Sequence, residues 1–181
     1  YYTATYTSVL DFLPQGTSNF TRSRYVTFSL AARGQRNADK PYAAMFPGHF
    51  TNEIQDLNKY VFRSVVADCI RGAQFLLDCP DVHNEKTVIV GNDLALIVAS
   101  LENRIKYVMT TPKLFVDSIR LAQKVTDYAG YPALAELNDY LRQHPLLTDK
   151  VAETLSYFDL FHHAPKDHLS KPDLRVQLLQ V

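Results

Sequence analysis

The segment Gly91-Asn92-Asp93-Leu94-Ala95 is where this chain could most readily do chemistry. It joins one apolar run, Thr87 to Val90, to another, Leu94 to Leu101. In sheets built of alternating strands and helices, ligands sit beyond the carboxyl ends of the strands. A sharp strand-to-helix turn of pattern G-x-S-x-G presents a nucleophile there. Gly91 is the small residue that such a turn needs. Asp93 occupies the serine position, and Ala95 replaces the second glycine. Asp93 has two readings. As a nucleophile, its carboxylate forms an ester intermediate that water then hydrolyses. As a helix cap, it accepts backbone N–H bonds and suits the positive end of the dipole.

The remaining reactive side chains offer less. Ser64, Ser100 and Ser156 fall within helical patterns, not in a strained turn. His162 and His163 are adjacent, so their imidazoles point apart and do not form a metal pair; together with His168 they read as surface or packing residues. Cys69 and Cys79 make no C-x-x-C pair, so a zinc or redox motif is unsupported. They read as two small buried side chains, with a disulfide open to them in an oxidising compartment. Asn19-Phe20-Thr21 is a glycosylation sequon only in a eukaryotic secreted protein.

The elements that must position Asp93 are legible as patterns. Four segments read as strands: Thr7 to Leu13, Tyr25 to Ala31, Thr87 to Val90 and Ile105 to Thr110. Each ends at turn formers such as Pro14-Gln15-Gly16 or Thr111-Pro112. The continuous run from Thr87 to Val90 suits a strand buried on both faces. Leu174 to Val181 is strand-like as well. Helical spacing covers Tyr60 to Leu77, Leu94 to Leu101, Val116 to Tyr128, Ala133 to Arg142 and Val151 to Phe161, with Pro132 suited to a helix start. This alternation predicts an α/β fold, a mostly parallel sheet flanked by helices with right-handed crossovers. We read residues 1–181 as one domain, partial at both ends because both ends look like core strands.

Composition removes some functions. Apolar residues make up 46% of the 181, so the chain is globular. Nineteen basic residues balance nineteen acidic ones, and no basic block points to nucleic acid. No apolar run reaches the length of a membrane span. Tyr1 to Ser8 lacks the basic start and apolar core of a signal peptide.

Several segments resemble the acetyl xylan esterase and cephalosporin-C deacetylase family of α/β-hydrolases. Arg33-Gly34-Gln35 is similar to that family's R-G-Q-G segment, with Arg36 in place of the last glycine. Pro47-Gly48, then Ile54, Asp56, Tyr60, Arg63, Val66, Asp68 and Arg71, resemble its P-G…I-x-D…Y…R…D-x-x-R stretch. Leu94-Ala95-Leu96 and Leu101 to Lys106 are similar to its L-A-L…L-D-P-R-V-K run. Tyr140-Leu141-Arg142 matches, and Val151 to Asp159 resembles V-F-E-T-L-S-Y-F-D. The resemblance runs from about Tyr25 to Lys166.

It implies an α/β-hydrolase fold, Ser-His-Asp catalysis and removal of acetyl groups from sugars or related small esters. It implies no metal or organic cofactor. It points to an extracellular or periplasmic setting. The departures fall where the chemistry would be. The family's G-G-S-Q-G-G elbow stands here as Gly91 to Leu96, and its H-G-Y-G-G oxyanion segment as Leu13-Pro14-Gln15-Gly16. In that register the backbone N–H groups of Gln15 and Leu94 would be the oxyanion donors. The family's acid and histidine come after the strand beginning near Leu174.

Three functions are then open. One is a degenerate esterase-like domain, a scaffold or interaction domain whose partners are other parts of a larger chain or another protein. The second is an active hydrolase with Asp93 as nucleophile, the use that haloalkane dehalogenases and epoxide hydrolases make of an Asp at this elbow. The third is a glycan-binding module holding an acetylated saccharide, with some of its eleven tyrosines and ten phenylalanines stacking on sugar rings.

Overall fold

The computed structural model of the chain describes residues 25, 26, 28, 30, 32, 33, 48–126, 128–163 and 175–178. The strand expected over Thr7 to Leu13, the Gln15 segment, the Asn19 sequon and His168 lie outside the described residues.

Three parallel strands form a sheet in the order β1 (Val88–Gly91), β2 (Tyr107–Thr110), β3 (Arg175–Leu178). Val88 aligns with Tyr107 and Gly91 with Thr110; Tyr107 aligns with Arg175 and Thr110 with Leu178. Parallel neighbours require a crossover, and α2 (Asp93–Leu101) supplies the one between β1 and β2. The expected α/β class with a parallel sheet is what forms. In β1 only Ile89 is fully buried, and Val88 and Val90 are half-buried. Among the described residues β1 pairs with β2 alone, so its apolar run is less enclosed than the sequence suggests.

Helix α1 (Val61–Leu77) buries Val61, Phe62, Val65, Val66, Cys69, Ala73, Leu76 and Leu77, a stripe at helical spacing. Gly72 sits mid-helix, where glycine costs roughly 1 kcal/mol against alanine. A Cβ there would meet Phe28 at 3.2 Å and Leu30 at 3.3 Å, so a larger residue would press these side chains back by a few tenths of an ångström. Phe28 and Leu30 belong to the strand expected over Tyr25 to Ala31. The described residues of that segment are irregular, with Phe28 and Leu30 packed on the core and Tyr25 and Val26 exposed. Cys69 is buried and Cys79 half-buried.

Helix α2 is buried from Asp93 through Ala99. A helix apolar on every side belongs inside a fold, and α2 packs on β1, β2, α1 and α6 (Leu160–His163). The next helix, expected over Val116 to Tyr128, is shorter: α3 covers Ser118–Lys124. Asp117 adopts a left-handed conformation (φ 48°, ψ 49°), which stops a helix from running back through Val116. Helix α4 (Pro132–Gln143) starts on Pro132, as expected. The helix expected over Val151 to Phe161 is broken into α5 (Thr148–Ser156) and α6. The break has a tertiary cause. The Leu160 N–H donates to the Phe115 carbonyl at 2.8 Å, and Asp159 Oδ1 accepts the Phe161 N–H at 2.9 Å, starting a new helix. No helix among the described residues is long and apolar enough to cross a membrane.

Two charged clusters tie these elements together, each using residues that carried the family resemblance. The Arg33 guanidinium donates to both carboxylate oxygens of Asp68 on α1, at 2.7 and 2.8 Å. Glu102, just past α2, accepts from the Arg104 backbone N–H and Nε, each at 3.0 Å, and from Gln74 Nε2 at 3.2 Å. Arg104 reaches on to Asp78 at 2.6 Å. The Arg104 hydrogen bonds hold the Glu102 carboxyl down at about 2, from an ordinary 4.5, outweighing its burial. A carboxyl depressed in the folded state contributes stability above its unfolded value and loses it as pH falls through the folded one. Relative to Glu102→Gln, the natural protein should therefore be more stable by about 2 kcal/mol at neutral pH, allowing for solvent screening of the half-open Arg104. That advantage should shrink between pH 4.5 and pH 2. Urea unfolding of both proteins across this range checks it; an advantage independent of pH would rule the mechanism out.

Candidate functional site

One residue, Asn92, separates β1 from α2. Its Oδ1 accepts the Leu94 N–H at 3.2 Å, making Asn92 the helix cap. Its carbonyl accepts the Ala95 N–H at 3.0 Å and the Thr110 hydroxyl at 2.7 Å. The Thr111 N–H donates to the Gly91 carbonyl at 3.1 Å. The bend is thereby bolted to the end of β2. No residue of the bend has a positive φ: Asn92 has φ −98° and ψ −147°, and the non-glycine residues with positive φ among those described are Glu53 and Asp117.

Asp93 is the first residue of α2 and is 1% exposed. Its carboxylate turns away from its own helix to the loop that follows β2. Oδ1 accepts the backbone N–H groups of Leu114 at 2.9 Å and Phe115 at 2.8 Å, and Oδ2 accepts that of Lys113 at 3.0 Å. Charge-assisted bonds of this kind are about twice as strong as neutral ones. They also satisfy three donors of a loop that packs into the core. Phe115 is 1% exposed, with its ring centroid 5.7 Å from Phe50, 5.4 Å from Phe62 and 5.4 Å from Phe158.

Beside the bend lies a cavity of about 310 Å³. Asn92 and Asp93 line it from the bend, Thr111 and Lys113 from the loop after β2, and Tyr131 and Pro132 from the start of α4. A second cavity, of about 370 Å³, runs on from Pro132 along α4 past Glu136, Asp139 and Tyr140. Burial, with the charge of Glu53, pushes the Tyr140 phenol up, and its hydroxyl donates to Gln55 Oε1 at 3.2 Å.

Of the residues singled out from sequence, Asp93 stands at the strand–turn–helix bend and on a cavity wall. The cap role belongs to Asn92, because its side chain reaches the Leu94 N–H while the Asp93 carboxylate is drawn to the neighbouring loop. The Leu94 N–H, assigned as an oxyanion donor, is directed to Asn92 Oδ1. Gln15 lies outside the described residues. Ser100 and His163 come together in a way sequence reading missed. The Ser100 hydroxyl is 2.8 Å from Nδ1 of His163 and 2.7 Å from the Ile97 carbonyl, and His163 Nε2 is 3.0 Å from the Tyr157 carbonyl. Ser100 lies seven residues along α2 from Asp93, roughly 10 Å of helix, so this pair is separate from the bend. Among the described residues no group of three or more His, Cys, Asp or Glu side chains could hold a metal ion.

Comparison with known proteins agrees with this architecture. A family model described as acetyl xylan esterase matches residues 4–175. An acetyl xylan esterase from Paenibacillus sp. R4 superposes with a TM-score of 0.63 at 23% identity, covering 83% of this chain and 48% of that one. Acetyl xylan esterase 1 from Thermoanaerobacterium sp. JW/SL YS485 superposes with a TM-score of 0.70 at 18% identity, covering 98% of this chain and 65% of that one. The chain thus spans less than two thirds of the length of either structure. No curated protein sequence matches it.

Proposed function

The chain belongs to the acetyl xylan esterase family, and from that premise we propose that it is an esterase-derived domain whose nucleophile position has become a structural clamp. It cleaves no ester through residue 93 and acts as a scaffold or interaction domain within a larger protein or complex. One observation carries this reading. Asp93 is 1% exposed, with its two oxygens committed to three backbone N–H groups. A carboxylate nucleophile must bring an oxygen to the electrophilic carbon. Moving Asp93 to do so would strand buried donors of the loop that holds Phe115. The bend's lack of a positive-φ residue supports the same reading, since an exposed nucleophile depends on a strained turn. So does the Leu94 N–H, whose direction toward Asn92 takes it from any developing oxyanion.

Incubation with p-nitrophenyl acetate tests it. The expected result is no release of nitrophenol above the buffer rate at high protein concentration. Turnover that disappears in Asp93→Asn, with the variant shown to be folded by circular dichroism, would restore Asp93 as a nucleophile and overturn the proposal.

A further inference from the structure

Away from the bend, the cavity along α4 has a chemical bias of its own. It holds about 370 Å³, within the range of small-molecule sites. Pro132 and Ala135 give it apolar surface, and Tyr128 and Tyr140 bring aromatic rings to its wall. Among the described residues that line it, Glu136 and Asp139 are acidic and none is basic. The whole chain balances nineteen acids with nineteen bases, so this is a local excess. Oε1 of Glu136 accepts the backbone N–H and the hydroxyl of Thr51 at 2.7 and 2.8 Å, neutral donors that fix the side chain. Asp139 pairs loosely with Arg142, at 3.8 Å, and both side chains are more than half exposed. An exposed pair of that kind contributes little and yields readily to a better-placed cation. Carboxylates and the faces of aromatic rings attract the same ligand, a cation with an apolar shell. An anion would meet like charge there, and a neutral ligand would strip water from the carboxylates without replacing it. We propose that this cavity binds an organic ammonium ion, its charge against the Asp139 and Glu136 carboxylates and its carbon groups against Tyr128 and Tyr140. No residue of the bend lines this cavity, so the inference goes beyond the reading of Asp93 and stands without it.

The probes are choline and N-acetyl-lysinamide, each titrated into the isotopically labelled protein at constant ionic strength. The controls are sodium chloride and dimethylbutanol, the neutral isostere of choline in which carbon replaces nitrogen. The expected result is saturable shifts at the amide signals of Thr51, Glu136 and Tyr140 with a cation, and binding of the alcohol about tenfold weaker than that of choline. Tighter binding of choline assigns the site to a free ammonium ion; tighter binding of N-acetyl-lysinamide assigns it to a lysine side chain presented by a protein. Asp139→Asn gives up one loose, exposed pair, so the fold should be retained while cation binding weakens about fivefold. Tyr128 is 48% exposed. Tyr128→Leu should weaken binding about threefold, whereas Tyr128→Phe, which keeps the ring, should bind as the parent does. Saturation by neither cation, shifts that sodium chloride reproduces, equal binding of the alcohol, or equal binding by Asp139→Asn would each overturn the proposal. Cation binding alongside Asp93-dependent turnover of the ester would overturn only the clamp reading. No cation binding and no turnover would overturn only this inference.

Discussion

Asp93→Ala should lower the unfolding free energy by about 4 kcal/mol. The substitution removes a side chain whose two oxygens accept from Lys113, Leu114 and Phe115. Two of these bonds are buried, so their N–H groups would find no water in compensation. Each stranded buried donor costs roughly 1–3 kcal/mol, more than a bond contributes when both partners are kept. Asp93→Asn separates charge from shape. Its carbonyl oxygen can keep the Leu114 and Phe115 bonds, but its NH2 would face the Lys113 N–H, so the loss should be about half as large. Asp93→Ser restores the hydroxyl of a serine esterase, yet it should resemble alanine in stability and gain no esterase activity. Urea unfolding with unchanged m-values measures all three. An alanine variant within about 1 kcal/mol of the parent would show that Asp93 is not a clamp.

The second large effect is expected at Phe115, where Phe115→Ala should cost about 4 kcal/mol. Its ring touches those of Phe50, Phe62 and Phe158, and its carbonyl accepts the Leu160 N–H at 2.8 Å. The residue therefore joins the clamp, the aromatic core and the start of α6. Truncating the ring opens a cavity among rigid neighbours that cannot easily close it. Phe115→Leu, which keeps most of the volume, should cost about 1.5 kcal/mol. Because the Asp93 carboxylate holds the Phe115 backbone, the two alanine substitutions should not add. The double variant should be less destabilised than the sum of the singles by about 1 kcal/mol. Strict additivity would mean that loop and clamp act independently.

These expectations show which parts of the molecule could be read from the chain alone. The stripe on α1, the wholly apolar α2, the Pro132 start of α4 and the two apolar runs of β1 and β2 were all visible in sequence. Each depends on side chains only a few residues apart, and burial of one face is a local demand that spacing records. The family resemblance was readable for the same reason. Arg33, Asp68, Glu102 and Arg104 carried it, and in the structure Arg33 meets Asp68 and Glu102 meets Arg104 in structural ion pairs.

Distant partners decided the rest. Asn92 and Asp93 are adjacent and either could cap α2. The choice fell to Asn92 because a loop twenty residues further on offers Asp93 three N–H groups. The helix expected over Val151 to Phe161 broke because a carbonyl more than forty residues earlier captured the Leu160 N–H. Ser100 and His163, sixty-three residues apart, met only because α6 packs on α2. Sequence spacing determined which elements form and which faces they bury. Only the packed chain decided where each buried carboxylate, amide and carbonyl finds its partner. A hydrogen bond is satisfied by whatever lies within 3 Å in space, and no periodicity along the chain encodes that distance.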